Sequence, residues 1–308
     1  MPFDEEDVFL TTGAFGALAA AFRAVADPGD EIVYVSPPWF FYDPMIRFAG
    51  AAAVRVDSRP PGFDLPVDAI RAAITPRTRA IIVNSPNNPT GRIYPADSLR
   101  DLASVLTDGS AQGGRPIYLI SDESYSRILF DGRSFVSPTA FYPHSFLVYT
   151  FGKTLLTPGQ RLGYLALSPE MPNREQVRGA VLLSQIAAGF AFPNALLQYA
   201  VADLEELVID LDHLQAKRDR MVPALREMGY GLHVPESTFY LLPRSPIPDD
   251  LVFTEILARR DVFVLPGSLV ELPGYFRISL TASDEMIDRA LPKFAAAMEE
   301  ASAPAVTG

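Results

Sequence analysis

Phe146-Leu147-Val148-Tyr149-Thr150-Phe151-Gly152-Lys153 is a short run of β-branched, aromatic and aliphatic residues closed by a glycine. It reads as a buried strand running into a loop. Lys153 then stands just past the strand's carboxyl end, where open α/β sheets bind their ligands. Taken alone, a lysine is ordinarily a solvated surface residue. Gly152-Lys153-Thr154 also ends like a phosphate-binding P-loop, but Leu147 occupies the upstream position that the motif reserves for glycine, which excludes that reading.

Working outward, Glu31–Val35, Ala51–Val56, Ala80–Asn84, Pro116–Ser121 and Leu162–Leu167 have the same character, short and mostly bounded by Pro, Gly, Asn or Asp. Between several of them lie helix-like segments at Phe15–Val25, Val67–Ile74 and Pro95–Leu106. The alternation predicts an α/β lobe with a largely parallel sheet flanked by helices, over residues 1–190. Residues 191–308 predict a long connecting helix and a smaller α+β lobe. Its helical spacing runs from about Asn194 to Met228, with a kink or break at Pro223. Strands at Thr238–Leu242, Val262–Leu265 and Tyr275–Leu280, helices near Leu251–Arg260 and from Asp284 to about Met298, and a frayed tail from Ala301 complete it.

The 308 residues are 48% hydrophobic, enough for two lobes with sizeable cores. The acidic start Met1–Asp7 lacks a secretory pattern and no apolar run is long enough for a membrane span, so the chain reads as cytoplasmic. A net charge of -11 opposes binding to nucleic acid or anionic membranes, and any anion needs a local pocket. The lack of cysteine excludes thiol chemistry, and His144, His213 and His233 are too widely spaced for a metal motif, so no metal is expected.

Several further segments could carry chemistry, although each has a plain structural explanation. Arg161, eight residues after Lys153 in Pro158-Gly159-Gln160-Arg161-Leu162-Gly163, could grip a phosphate bidentately or form a surface ion pair. Asp122 follows its strand as a possible functional carboxylate or a turn cap, and Asn87-Asn88-Pro89-Thr90-Gly91 reads first as a turn. Thr12-Gly13-Ala14-Phe15-Gly16 opens a helix whose free amides could hold an anion. Trp39, the sole tryptophan, could offer a flat face to an aromatic ligand from its loop, or sit in the core. Leu183–Asn194 is either a packed helix or part of a pocket wall.

As an ordered set, Gly13-Ala14-Phe15, Trp39, Ser85 to Gly91, Asp122-Glu123-Ser124-Tyr125, Lys153 with Arg161, and Phe276-Arg277-Ile278-Ser279 resemble the fold-type I, class I/II aminotransferases, from about Val8 to Ala297. The resemblance implies pyridoxal 5'-phosphate (PLP) as cofactor, an amino acid and a 2-oxo acid as substrates, and a homodimer with active sites at the subunit interface. By resemblance, Lys153 forms an imine with the cofactor aldehyde and, once freed, moves a proton at the substrate α-carbon. Asp122 keeps the pyridine nitrogen protonated, Asn88 and Tyr125 bond the ring's phenolic oxygen, and Trp39 stacks on the ring. Thr150, Arg161 and the amides near Gly13, Ala14 and Phe15 form the phosphate cup. Arg277 takes the substrate α-carboxylate, and Asn88 also contacts the substrate.

Three positions depart from the family pattern. Gly152 stands where a small hydroxyl or alanine is usual, and Ser237 replaces a frequent glycine. Only Met1–Thr11 precede a motif that normally follows a longer segment. The same residues also serve PLP-dependent lyases, decarboxylases and oxidases, and a PLP-binding sensor or partner domain is a further alternative.

Overall fold

The computed structural model describes residues 3–58, 62–189 and 192–302. The lobe junction expected between residues 190 and 191, and the end of the tail, lie outside the described residues. The elements in chain order are β1 (Val8–Thr11), α1 (Ala14–Val25), β2 (Glu31–Ser36), α2 (Tyr42–Phe48), β3 (Ala52–Asp57), α3 (Val67–Ala73), β4 (Thr78–Asn84), α4 (Ala96–Gly113), β5 (Tyr118–Asp122), β6 (Ser145–Thr150), α5 (Phe151–Thr154), β7 (Gly163–Leu167) and α6 (Arg174–Ala187). They continue as α7 (Ala195–Glu205), α8 (Leu211–Glu227), β8 (Tyr240–Leu241), α9 (Asp250–Ala258), β9 (Leu265–Pro266), β10 (Phe276–Ser279) and α10 (Asp284–Ser302).

The larger sheet has seven strands in the order β1-β7-β6-β5-β4-β2-β3. Strands β3, β2, β4, β5 and β6 are mutually parallel, and β7 runs against both of its neighbours. Helices cover both faces, which is why the central strands read as continuous apolar runs rather than alternating ones. On one face α1 packs with Ile32, Ile82, Ile120 and Phe146, and on the other α3 and α4 close over Val33, Ile81, Val83 and Leu119. Register aligns Asn84 with Asp122 and Asp122 with Val148. The carboxyl ends of β4, β5 and β6 therefore open together at one edge.

The smaller sheet is antiparallel, β8-β10-β9, and packs with α8, α9 and α10 around Phe253, Phe276 and Phe294. Tyr125, Ile128 and Phe130, which follow β5, join the same core. The two halves of the chain are thus continuous in packing next to the carboxyl ends of the large sheet.

Three expectations change, and one strand is added. The long connecting helix is two helices, broken at Glu206–Asp210, where Asp210 caps the backbone of His213 at 2.9 Å. Pro223 does not break α8. Helical periodicity alone does not separate two helices whose connection, Glu206-Leu207-Val208-Ile209-Asp210, is itself mostly apolar. Lys153 lies on the one-turn helix α5 rather than in a loop, because the Thr150 hydroxyl accepts from the Gly152 N–H and starts the turn directly after β6. Finally β1 forms an edge strand from four residues too few for a periodic signal, its ladder supplied by β7.

Candidate active site

A cleft of about 130 Å³ opens over the ends of β4, β5 and β6, and Ala14, Phe15, Trp39, Asn88, Asp122, Tyr125, Thr150, Lys153 and Arg161 all line it. Gly13 lies against its wall, and Arg277 reaches in from β10 by donating from its guanidinium to Asn88 Oδ1 at 2.8 Å. Residues from two halves of the chain therefore converge on one place.

At the floor, Asp122 is buried. Its Oδ2 accepts from the Tyr42 hydroxyl at 2.5 Å, and its Oδ1 accepts from the Ser124 backbone at 3.1 Å and hydroxyl at 2.6 Å. Burial, then the adjacent Asp122 charge, push the Tyr42 phenol well above its ordinary range, so its proton stays in place to be donated. The Asn84 side chain donates to the Asp122 backbone carbonyl at 2.9 Å and accepts from the Asn88 N–H at 2.8 Å. The strand ends are thus tied into one frame before any ligand binds.

Trp39 forms one side wall, held edge-on by Phe15 and Tyr42 with ring centroids 4.5 and 5.5 Å away. Lys153 is half-buried, its Nζ 5.5 and 5.9 Å from the ring centres of Tyr125 and Phe239. Burial and then Tyr240 raise the Tyr125 phenol, whose hydroxyl donates to Tyr240 at 3.4 Å. The Arg277 guanidinium lies over the Tyr240 ring at 4.1 Å, which fixes its plane and leaves its remaining edge for a ligand.

The other end of the cleft is an anion cradle. Helix α1 starts at Ala14 with no side-chain cap, so its first amides lack intrahelical acceptors. Arg161 folds over them, held by the carbonyls of Pro158 at 2.8 Å and Thr12 at 3.2 Å. Gly13 has φ 76° and ψ -175°, a conformation confined to glycine. A β-carbon there would lie 2.8 Å from the Arg161 guanidinium and 3.4 Å from Thr150 Oγ1. The residues present therefore fit a phosphate at this end and an aromatic ring with a protonatable nitrogen over Asp122. Gly152 also has a packing reason, since a β-carbon would sit 3.3 Å from the Pro158 backbone.

Residue-level reading missed Tyr42, Asn84, Ser124 and Tyr240. The aromatic run Trp39-Phe40-Phe41-Tyr42 was a usable signal for the first, whereas the others depend on tertiary approach. The described part of Leu183–Asn194 does not line the cleft. Leu183 is exposed, and Asn194 caps α7. The histidines are dispersed, with His213 paired to Asp284 at 3.2 Å, His144 between Tyr118 and Tyr142, and His233 bonded to the Thr90 carbonyl. Among the described residues no group of three or more acidic or imidazole side chains is placed to hold a metal, and no helix is long and apolar enough to cross a membrane.

The chain is similar to known proteins along almost its whole length. The aspartate/prephenate aminotransferase of Thermus thermophilus is 34% identical over 302 residues, covering 94% of this chain and 75% of that protein. The aspartate aminotransferase of Thermotoga maritima is 31% identical over 296 residues, covering 94% and 74%. An aminotransferase structure from Eubacterium rectale superposes with a TM-score of 0.93 at 29% identity, covering 98% of this chain and 76% of that one. Residues 1–294 match the family model described as aminotransferase class I and II, and the chain belongs to that family of enzymes.

Proposed function

We propose that this chain binds PLP through Lys153 and moves an amino group between an L-amino acid and a 2-oxo acid. The observation that carries this reading is the joint opening of Asn88, Asp122, Lys153 and Arg161 onto one cleft with the uncapped start of α1 at its end. When bound, PLP supplies an electron sink for a carbanion at the substrate α-carbon.

The chain's residues then have distinct tasks. Arg161, Thr150 and the α1 amides hold the phosphate by charge-assisted bonds. Asp122, oriented by Tyr42 and Ser124, keeps a proton on the ring nitrogen. Trp39 orients the ring, with Asn88 and Tyr125 beside it. Arg277, steadied by Asn88 and Tyr240, binds the α-carboxylate with two parallel donors. Lys153 Nζ, 5.5 and 5.9 Å from the ring centres of Tyr125 and Phe239, would, once displaced from the cofactor by the incoming amino group, carry the α-carbon proton to the cofactor's C4′ carbon.

The chain acts in this proposal as a homodimer of two-lobed subunits. An apolar surface along α6 and α7, with Leu183, Phe192, Leu196 and Tyr199 each more than two-thirds exposed, supports it. Adding PLP to the purified chain, reducing with borohydride and mapping the labelled peptide tests the first claim. Label on Lys153, absent in Lys153→Ala, is expected, and a chain that acquires no visible chromophore sinks the proposal. Conversion of the bound cofactor to its amine form by an amino acid, and back by the matching 2-oxo acid, tests the second, and light scattering that shows a monomer counts against the third.

A further inference from the structure

The proposed reaction leaves the substrate side chain unassigned, and the walls of the cleft bear on it. With the α-carboxylate on Arg277 and the α-amino group at Lys153, the side chain lies between the ring wall and the small sheet. That region is aromatic. Phe40 stands 6.5 Å from Trp39 and 4.5 Å from Phe41, ring centre to ring centre. Its other side packs into the cluster containing Leu265 and Tyr275. Leu265 is the register partner of Arg277 across β9 and β10. Phe40 thus links Trp39 to the strand paired with that of Arg277 from outside the cleft lining, while Phe41 beside it lines the cleft and is exposed.

The charges lining the cleft lead to the same conclusion. Among the described residues lining it, the cations are Lys153 and Arg161, and both already have tasks. Arg92 and Arg55 do not line the cleft and are paired with carboxylates, Arg92 with Asp64 and Glu236 and Arg55 with Asp57 and Glu271. A second carboxylate on the substrate would lose its hydration against aromatic faces without a cation of this subunit to repay it. An apolar side chain gains in proportion to the area it buries there.

We infer that the site selects amino acids with bulky apolar side chains, of the leucine and phenylalanine class, over dicarboxylic ones. This inference rests on the proposed amino-transfer reading. The test uses the full chain loaded with PLP, its label at Lys153 verified first. Single-turnover spectra are then recorded with phenylalanine, leucine, aspartate and glutamate. Binding of 3-phenylpropionate and succinate is followed separately through the fluorescence of Trp39, the sole tryptophan.

Phenylalanine or leucine is expected to exceed aspartate in rate over half-saturation by about tenfold or more, with the same order for the two unreactive acids. Aspartate or glutamate equal to or better than both overturns the inference and leaves the proposed function standing. No label at Lys153, or label with no amino acid reacting, overturns the proposed function and the inference with it. Phe41→Arg adds a cation at an exposed position, and is expected to shift the ratio toward aspartate by about tenfold. An unchanged ratio in a folded variant that binds PLP would remove Phe41 from the side-chain wall.

Discussion

Glu123, next to Asp122 in sequence, faces away from the chemistry described above and yet is almost fully buried. Burial pushes its carboxyl up to about 7 from 4.5, against the opposing effect of hydroxyl donation from Ser137 and from Ser121, the latter at 2.9 Å, while the adjacent Asp122 charge adds to the rise. In the folded state, therefore, Glu123 holds its proton over a pH range in which the unfolded chain has lost it. The folded state binds more protons between about pH 4.5 and 7, so stability falls as pH rises through that window and levels off above it. At about 1.4 kcal/mol per unit, the shift from 4.5 to about 7 corresponds to a loss of about 3 kcal/mol. Glu123→Gln keeps a carbonyl to accept from both serines and removes the titration. Urea unfolding of both proteins at pH 5, 6, 7 and 8 isolates the effect, because other titrating groups are common to the pair and cancel in the difference. The variant should be close to wild type at pH 5 and more stable by about 2–3 kcal/mol at pH 8. Parallel stability curves would refute the reasoning, because Glu123 would then be ionised in the folded state throughout this range, as it is in the unfolded chain.

Tyr42→Phe removes a buried donor to a carboxylate, worth about 1.5–3 kcal/mol, and should weaken PLP binding as Asp122 loses its orientation. Tyr142→Phe is the matched control, since its hydroxyl donates at 2.8 Å to the carbonyl of Ile117 away from the cleft. Unfolding and PLP titration that fail to separate the two variants would dismiss the role of Tyr42. Gly13→Ala forces a side chain into a glycine-only conformation at about 1–3 kcal/mol and displaces Arg161. Its expected signature is a loss of PLP affinity of about tenfold or more, measured by fluorescence titration, and unchanged affinity would argue against the phosphate cradle. Arg277→Lys keeps the charge but loses the planar fork, so kcat/KM should fall by about 10- to 100-fold with cofactor affinity intact. Equal loss of cofactor binding would move Arg277 out of the substrate site.

The sequence by itself determined the α/β alternation, because strands buried on both faces must be apolar throughout and must stop at turn formers, and both features are local. It also placed Asp122 and the Lys153 segment at strand carboxyl ends. Family resemblance, not any property of Lys153 alone, marked that lysine. Tertiary structure decided the rest. Strand order brings Asn84, Asp122 and Val148 into register, and no local propensity encodes which strand lies beside which. The bond from Tyr42 to Asp122 spans 80 residues, and that from Arg277 to Asn88 spans 189. Such pairs exist only after burial of separate apolar faces has brought the chain segments together. Ser237 shows the same division. In sequence it is one departure from a glycine pattern, but in the fold its hydroxyl donates to the Gly91 carbonyl at 2.8 Å and ties the small half of the chain to the loop bearing Asn88. Lys153 acquires its chemical setting in the same way, from rings that Tyr125 contributes from before it in the sequence and Phe239 from well after it.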